Sequence, residues 1–261
     1  MPDRDGHHDL ALLTEAALAS GKIALQFWRR DPKVWEKPGQ GPVTEADMAV
    51  NAMLADTLRA ARPTYGWLSE EDADTPARLS SDRVFIIDPI DGTRAFIAGE
   101  ETFAHSLGIA EKGRVIAGVV YLPALDTLYT ATLNGPALKD GEPIRASQHP
   151  GIPGAHLLTT QPNLAPEHWP GGVPDVKRSF RASLAYRLCL VAEGRFDGML
   201  TLRDAWEWDI AAGTLIAERA GAVITDKHGA ALGFNAARPQ APGVIAAAPG
   251  LHADLRGRLQ P

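Results

Sequence analysis

The sequence predicts a layered α/β or α+β fold with two lobes. Apolar residues have helical spacing up to about residue 61, and residues 65–132 contain five strand-like runs. Beyond residue 182, helical and strand-like segments alternate too irregularly for one doubly wound sheet. A stretch with Pro, Gly and His at residues 149–154 predicts the boundary between a first lobe, residues 1–148, and a second lobe, residues 149–261.

The composition is that of a soluble globular protein, with 45% hydrophobic and 22% charged residues. Asp and Glu number 32 against 26 Lys and Arg, and this net charge of −6 argues against a nucleic-acid binder, which needs clustered basic residues. An anionic substrate is still possible, because metal ions supply positive charge locally. The N-terminus lacks the order of a signal peptide, and no apolar run approaches the ~20 residues that span a bilayer. We therefore expect a cytoplasmic protein without a membrane segment.

Cys189 is the only cysteine, so the chain by itself forms neither a disulfide nor a thiolate zinc cluster. Its apolar neighbours favour a buried structural thiol over a reactive one. The eight histidines lie outside the acidic clusters described below, and we interpret them as structural or surface residues.

The N-terminal part predicts two helices joined by a loop. The first helix covers residues 10–30, and a loop rich in Pro and Gly follows over residues 31–43 and carries Lys37. Thr44 has the character of an N-cap for the second helix, with Asp47 in its first turn, where the helix dipole favours negative charge. This helix is predicted to end near residue 61.

Strands dominate the middle of the chain, and both element types follow the lobe boundary. The run at residues 83–87 is continuously apolar, as expected of a strand buried on both faces. Gly221 is a candidate C-cap for the last predicted helix. The predicted strands are residues 65–69, 83–87, 106–110, 115–122, 127–132, 223–225 and 243–247, and the predicted helices of the second lobe are residues 183–193 and 208–220.

Asp88-Pro89-Ile90-Asp91-Gly92-Thr93 is the strongest local signal. It follows the apolar strand directly, so Asp88 lies at the strand end, and the turn forced by proline brings Asp91 close to it. Gly92 permits a backbone conformation that other residues resist, and a short helix from Thr93 has N–H groups suited to a phosphate. Two carboxylates this close repel each other unless a cation lies between them, and hard divalent cations prefer oxygen ligands. The alternative is a plain turn, because Asp, Pro and Gly are common turn formers.

Three further acidic clusters allow either a ligand role or a simpler structural one. Glu70-Glu71-Asp72 follows a strand candidate, so its carboxylates either project from the strand end or belong to a solvated loop. Asp209, after Trp208, begins a helix of small residues and is either a ligand or the N-cap. Asp47 has the same two alternatives, because it lies in a capping sequence.

In this order, the four clusters resemble the inositol monophosphatase superfamily of Mg2+-dependent, Li+-sensitive phosphatases. The shared motifs are the Glu-Glu pair, the Asp-Pro-Ile-Asp-Gly-Thr run and the later Trp-Asp followed by small residues, over about residues 37–213. The resemblance implies an αβαβα sandwich of the α/β class and a homodimer. It also implies hydrolysis of a small phosphate monoester with two or three Mg2+ ions, for which Mn2+ can substitute.

Carried over residue by residue, the resemblance implies a metal site and a group that activates water. Asp47 would orient Thr93, whose hydroxyl helps to activate the attacking water, and Glu70 would act in catalysis as well as in metal binding. The implied metal ligands are Glu70, Asp88, Asp91, Asp209 and the carbonyl oxygen of Ile90.

The same carry-over implies where the substrate lies. The backbone N–H groups of Gly92 and Thr93 would hold the phosphate, and Ser183 would be a further substrate contact. Lys37 would lie in a mobile loop that closes over the metals in relatives.

Two branches of the superfamily compete for the substrate. Bisphosphate nucleotidases resemble this chain in Arg94 after Thr93 and in the run from Ser183 to Gly194, whereas Ala185 and Thr201 replace their usual Lys and Arg, with Arg203 close by. The prediction is a 3'(2'),5'-bisphosphate nucleotidase that converts 3'-phosphoadenosine 5'-phosphate into AMP and phosphate.

Inositol-1-phosphatase and histidinol-phosphatase are the alternatives. Inositol phosphatases generally have a Glu seven residues before the last metal-binding Asp, where this chain has Leu202. Glu207 and Asp204 are candidates to replace it, or to bind a cationic substrate such as histidinol phosphate.

An alternative of another class is a regulatory binding module for a protein partner, because some proteins of this fold act with the transcription machinery. The complete ligand set argues against a degenerate enzyme, and the net charge argues against direct RNA binding. A Ca2+-binding structural protein is disfavoured, because the twelve-residue loop spacing of such sites does not occur.

Overall fold

Helical layers and β-sheets alternate in the computed structural model, which describes residues 4–37 and 41–260. The helices of this described part are α1 (Arg4–Phe27), α2 (Glu45–Ala61), α3 (Thr93–Ile97), α4 (Leu184–Ala192), α5 (Glu207–Arg219) and α6 (Pro249–Arg258). The strands are β1 (Val34–Lys37), β2 (Gly41–Thr44), β3 (Gly66–Ser69), β4 (Arg83–Asp91), β5 (Ala104–Glu111), β6 (Arg114–Leu122), β7 (Thr127–Thr132), β8 (Leu138–Lys139), β9 (Glu142–Pro143), β10 (His156–Leu158), β11 (Lys177–Ser179), β12 (Gly198–Thr201), β13 (Ala205–Trp206), β14 (Val223–Thr225), β15 (Gln240–Ala241) and β16 (Val244–Ala247).

Two large sheets organise these strands. The first sheet has the order β3-β4-β5-β6-β7-β8-β9; β3 and β4 are parallel, and every later pair is antiparallel. The second sheet has the order β11-β10-β12-β16-β14 and mixes both pairings. Two short pairs, β1-β2 and β13-β15, stand apart from them.

Three apolar layers hold the stack together. On β4, Phe85 and Ile87 pack with α1 and α2, whereas Val84 and Ile86 belong to the layer that contains α4 and α5. That middle layer also includes residues of the second sheet, whose other face packs on α6. The order is therefore α1/α2, first sheet, α4/α5, second sheet, α6, and the predicted αβαβα sandwich is confirmed. Burial on both faces explains why the sequence of β4 is continuously apolar.

Several predicted boundaries are wrong. The first helix ends at Phe27 rather than residue 30, because Arg29 takes a left-handed conformation with φ 58°. The predicted loop at 31–43 contains the hairpin β1-β2, with residues 38–40 outside the described part. The strands β8–β13 and β15 and the helix α6 were not predicted. All of these strands have only two to four residues, too few for a periodic pattern to be recognised.

The division into two lobes stays a prediction. Its boundary at residues 149–154 falls between β9, the last strand of the first sheet, and β10, the first described strand of the second. However, α4 and α5 come from the second half of the chain and pack against both sheets.

The helix α1 contains one segment, Gly6–Phe27, that is long and apolar enough to cross a membrane by length and composition. The sequence prediction had found no such segment. In the structure Leu13, Ala17 and Ala24 are completely buried in the layer between α1, α2 and the first sheet. The core helix of a soluble protein passes the same test of length and composition.

Candidate active site

A bulge at the end of β4 places Asp88 and Asp91 side by side. Asp88 pairs with Ser106 of β5 and Asp91 with Ala104, so two residues of β4 stand against one residue of β5. The N–H of Ile90 donates to Asp88 Oδ1 at 2.9 Å within this bulge. Asp88 and Asp91 are 1% and 7% exposed. The segment is thus a buried, bulged strand rather than a surface turn.

Asp209 joins this pair from α5. The N-cap of that helix is Trp206, so Asp209 is its third residue, and the alternative that Asp209 is the N-cap is wrong. Carboxylate oxygens of Asp88, Asp91 and Asp209 all lie within 4.8 Å of one another. Two of the four sequence clusters, 120 residues apart, therefore meet at one point.

The three acids that follow β3, Glu70-Glu71-Asp72, each have different surroundings. Glu70 lines the same pocket as the three aspartates. Glu71 accepts two hydrogen bonds from Lys37 Nζ, at 2.8 and 2.9 Å, while Nζ lies 3.8 Å from Glu70 Oε1. Asp72 accepts from Trp67 Nε1 at 2.6 Å. Lys37 is the last residue of β1 rather than part of a loop, and the mobility predicted for it stays a prediction.

The two carboxylate oxygens of Asp47 have different partners. Thr44 donates to Asp47 Oδ2 through its N–H at 2.8 Å and its hydroxyl at 2.6 Å, and this contact is part of a capping box at the start of α2. The hydroxyl of Thr93 lies 3.4 Å from Asp47 Oδ1 and 3.2 Å from the carbonyl oxygen of Ile90. Capping and contact with Thr93 are therefore compatible, although the sequence presented them as alternatives.

Burial dominates the electrostatics of the acidic centre. Desolvation raises the pKa of Asp88 and Asp209 well above the usual range, and their mutual proximity to Glu70 and Asp91 raises both further. Desolvation raises the pKa of Glu70 to about 7; the positive charge of Lys37 opposes this rise, and the negative charge of Glu71 adds to it. Desolvation also raises the pKa of Asp47 to about 6. Without a cation, these carboxylates hold protons at pH values where exposed acids have lost them.

Asp91 is also bound to the start of α4. Its Oδ2 accepts from the hydroxyl of Ser183 at 2.7 Å and from the N–H of Ala185 at 2.6 Å, and these bonds oppose the effect of burial, which raises the pKa of Asp91 to about 6. Ser183 is the N-cap of α4 and is completely buried. Its hydroxyl therefore fixes Asp91, and the structure does not place this side chain among the described residues that line the pocket.

Gly92 turns the chain from β4 into α3 with a φ of 96°, a conformation that favours glycine. A side chain at this position would also meet the backbone nitrogen of Ser183 at 3.3 Å. Gly92 and Thr93 both line the pocket, and the first N–H groups of a helix have no partner within the helix. The predicted contact between these two N–H groups and a phosphate is compatible with their place in the pocket, and it stays a prediction.

The acids open into a pocket of about 690 Å3 that also carries three arginines, Arg94, Arg187 and Arg203. Sequence reasoning missed Arg187 and Phe180. Arg187 is 5% exposed in the apolar helix α4, and a charge within so apolar a run was the signal that could have found it. Phe180 lies in an irregular stretch without a pattern; it is 48% exposed, and its ring lies 4.4 Å from the guanidinium carbon of Arg187.

Glu207 and Asp204, the candidates to replace the Glu that is absent at position 202, lie outside the described lining of the pocket. Glu207 is 1% exposed and accepts from the N–H groups of Asn235 at 2.6 Å and Ala236 at 2.9 Å. Asp204 pairs with Arg238 at 3.0 Å. Neither acid, nor Leu202, belongs to the described lining of the pocket that holds the aspartates.

Comparison with known proteins gives a consistent picture. The profile of the inositol monophosphatase family matches residues 7–260. An inositol-1-monophosphatase of Rhizobium meliloti is 36% identical over 232 residues, which cover 84% of this chain and 86% of that protein. The Nus factor SuhB of Escherichia coli is 30% identical over 85% of this chain and 86% of its own length.

Solved structures agree with the sequence relatives. The extragenic suppressor protein suhB from Bartonella henselae superimposes with a TM-score of 0.82 at 27% identity, covering 96% of this chain and 97% of that one. An IMPase from Thermotoga maritima superimposes with a TM-score of 0.81 at 28% identity, covering 96% and 95%. These relatives do not carry the name of a bisphosphate nucleotidase, so the resemblance to that branch stays a prediction.

Proposed function

This chain belongs to the inositol monophosphatase family, whose members are metal-dependent phosphatases, and we propose that its acidic centre binds Mg2+ and hydrolyses a nucleoside bisphosphate. The chain is a phosphoric monoester hydrolase by family. The identity of the metal, the ligand set and the substrate are the parts that we propose.

The donor set fits a hard divalent cation. Asp88, Asp91 and Asp209 supply carboxylate oxygens within 4.8 Å of one another, and Glu70 lines the same pocket. The carbonyl oxygen of Ile90 lies in the bulge of β4, between Asp88 and Asp91. Oxygen donors of this kind suit Mg2+ or Mn2+. Bound there, two or three such ions would lower the pKa of water and stabilise the charge that develops on the phosphoryl oxygens.

Asp47 and Thr93 are positioned to handle the proton of the attacking water. The Thr93 hydroxyl lies 3.4 Å from Asp47 Oδ1 and 3.2 Å from the carbonyl oxygen of Ile90, and when its one proton is directed to Asp47 its lone pairs are available to orient a water molecule. Asp47, with a pKa of about 6, is mostly ionised at neutral pH and can receive a proton through Thr93. Glu70, with a pKa near 7 before a cation binds, is a second candidate base.

The substrate proposal rests on the three arginines and the exposed Phe180 in the pocket. The N–H groups of Gly92 and Thr93 would hold the phosphate that is cleaved. One phosphate held by those groups and by metal ions does not require Arg94, Arg187 and Arg203 as well. A second phosphate would pair with them, and the ring of Phe180 offers a face for a nucleobase. The best candidate is 3'-phosphoadenosine 5'-phosphate.

Inositol 1-phosphate is the second candidate, because the relative from Rhizobium meliloti carries the name inositol-1-monophosphatase. Against it, Leu202 replaces the expected acid, and Glu207 is already used by two backbone N–H groups. Histidinol phosphate is disfavoured for the same reason, since Asp204 pairs with Arg238 and Glu207 faces the protein.

Phosphate release with Mg2+ should be measured for 3'-phosphoadenosine 5'-phosphate, inositol 1-phosphate, histidinol phosphate and fructose 1,6-bisphosphate. We expect the highest kcat/KM with the bisphosphonucleotide. Arg203→Met should raise KM for that substrate by about 10-fold or more, as loss of a charge-assisted pair does. The control Arg258→Met removes an exposed arginine from α6 and should leave KM unchanged. If the enzyme prefers inositol 1-phosphate and Arg203→Met leaves KM unchanged, inositol 1-phosphate becomes the proposed substrate.

A binding role is the alternative of another class, because the relative from Escherichia coli is named a Nus factor. Absence of Mg2+-dependent phosphate release on every substrate, together with capture of a defined protein partner, would favour that role. The homodimer and the cytoplasmic location stay predictions; light scattering on the purified protein tests the first.

A further inference from the structure

Two neighbouring residues of β5, His105 and Ser106, lie directly behind the acidic centre. Both are completely buried. Their side chains point to opposite faces of the first sheet, as successive residues of a strand do. Each makes one hydrogen bond to a backbone carbonyl group that adjoins proposed metal ligands.

His105 lies opposite the bulge of β4. It is the single residue between Ala104 and Ser106, which pair with Asp91 and Asp88, so the two bulge residues Pro89 and Ile90 stand opposite it. Its Nδ1 bonds to the carbonyl oxygen of Pro89. Since that oxygen only accepts, Nδ1 carries the proton of the ring. The side chain of His105 thereby supplies a hydrogen bond to the bulge, where the backbone pairing between β4 and β5 is interrupted.

The histidine is not explained by packing alone. Its Nε2 is buried without a hydrogen-bond partner among the described residues. An unpaired polar atom of this kind is destabilising, and a leucine would fill similar space without it. The hydrogen bond from Nδ1 to the carbonyl oxygen of Pro89 offsets the free energy lost at the unpaired Nε2.

Ser106 acts on the other face. Its hydroxyl donates to the carbonyl oxygen of Trp208 at 2.8 Å, in the first turn of α5. The next residue is Asp209, so this bond ties the helix that carries the third aspartate to the same strand.

We propose that His105 and Ser106 are positioning residues that hold the bulge of β4 and the first turn of α5 in one fixed arrangement, and so set the affinity of the metal site. This inference rests on the proposed metal centre. His105 fixes the segment that carries Asp88 and Asp91, and Ser106 fixes the turn that carries Asp209. Groups that hydrogen-bond a metal ligand directly change metal affinity by about 10- to 100-fold when removed, and His105 and Ser106 act through the adjoining backbone, so we expect the lower end of that range.

The test measures metal affinity without substrate or turnover. The dissociation constant for Mn2+ is determined from the electron paramagnetic resonance signal of free Mn2+, and that for Mg2+ by calorimetry. His105→Leu and Ser106→Ala should each weaken binding by about 10-fold or more. His105→Asn should restore most of the affinity, because its amide nitrogen occupies the place of Nδ1.

Two matched controls separate positioning from general stability. Ser20→Ala removes a buried hydroxyl that donates to the carbonyl oxygen of Ala16 at 2.9 Å in α1. His252→Leu removes a buried histidine that bonds to Thr225 at 2.9 Å, away from the pocket. His252→Leu should lower the melting temperature, and both variants should leave the dissociation constant for Mn2+ unchanged.

The outcomes are distinguishable. Wild-type affinity in folded His105→Leu and Ser106→Ala overturns the inference, as does equal weakening by the two controls. If His105→Leu does not fold, Ser106→Ala decides, because it removes one oxygen atom only. A wild-type protein that binds no Mn2+, or an Asp91→Asn variant that binds it normally, overturns the proposed metal centre as well.

Discussion

Replacing Asp91 by Asn should make the metal-free protein more stable and the enzyme less active. Asp91 is 7% exposed and lies within 4.8 Å of two other carboxylates. The amide oxygen of Asn can still accept from Ser183 and Ala185, which both bond to one oxygen of Asp91. The substitution therefore removes a buried charge while it keeps the contacts to α4.

The magnitude follows from the pKa. Burial raises the pKa of Asp91 from its ordinary value of 3.8 to about 6. Each pKa unit corresponds to about 1.4 kcal/mol, so ionisation of Asp91 lowers the free energy of unfolding by up to about 3 kcal/mol above pH 7. A gain of that size raises the melting temperature by about 6–12 °C, at about 2–4 °C per kcal/mol for a chain of this length.

The sign depends on pH. An acid with a raised pKa in the folded state stabilises the protein fully below the pKa of the unfolded chain, and this contribution is lost as pH rises through the folded pKa. The difference between Asp91→Asn and wild type should thus be smallest at pH 4 and reach its maximum above pH 7. Mg2+ should reverse the order, because it stabilises the wild type by mass action.

The assay is thermal unfolding from pH 4 to pH 8, in EDTA and in Mg2+, together with phosphate release. Turnover of Asp91→Asn should fall by about 100-fold or more, the usual loss for such electrostatic groups. Asp9→Asn is the contrasting control, because Asp9 is 1% exposed but paired with Arg62 at 2.9 Å and Arg83 at 3.2 Å. Breaking that pairing should cost about 3–5 kcal/mol of stability. A metal-free Asp91→Asn protein that is less stable than wild type at pH 8 would refute the reasoning.

Three further predictions concern the reaction. EDTA should abolish phosphate release and Mg2+ or Mn2+ should restore it, with inhibition by Li+ and Ca2+ as the family resemblance implies; full activity in excess chelator contradicts the metal centre. Thr93→Ala and Asp47→Asn should each lower kcat by about 100-fold or more, and the double variant should be no slower than the worse single one. Thr44→Ala removes the cap together with the hydroxyl bond to Asp47 Oδ2, so it should cost about 0.5–2 kcal/mol in thermal unfolding and raise the pKa of Asp47; a stable Asp47→Asn protein with normal kcat returns that residue to capping alone. At limiting Mg2+, kcat/KM should fall as pH drops through about 7 and 6, the pKa values of Glu70 and Asp91, because protons compete with the cation. Excess Mg2+ should shift this fall in kcat/KM to lower pH. A pH profile that does not change with the Mg2+ concentration would argue against this competition.

Much of the acidic centre could be predicted from local sequence. An apolar run followed by Asp88-Pro89-Ile90-Asp91 specifies a buried strand whose end presents two carboxylates, and Thr44 with Asp47 specifies a helix start. These signals arise between residues a few positions apart, where backbone geometry alone fixes the spacing.

Local sequence could not assign one role to each acid. Glu70 and Glu71 are adjacent and identical in type, yet Glu70 lines the pocket and Glu71 pairs with Lys37. Ser183 was predicted to contact substrate, and the structure directs its hydroxyl to Asp91. Which way a side chain points depends on packing against elements far away in the sequence.

The sequence by itself determined the fold class and the family, because apolar periodicity and four acidic motifs in a fixed order are properties of the chain alone. Tertiary structure decided that Asp209 meets Asp88 and Asp91, that Arg187 and Phe180 belong to their pocket, and that Glu207 does not. The middle apolar layer brings α4 and α5 against the first sheet, whose last strand ends about 40 residues before α4 begins. Contacts of this kind form only when apolar surface from distant segments is buried together, and no local pattern records them.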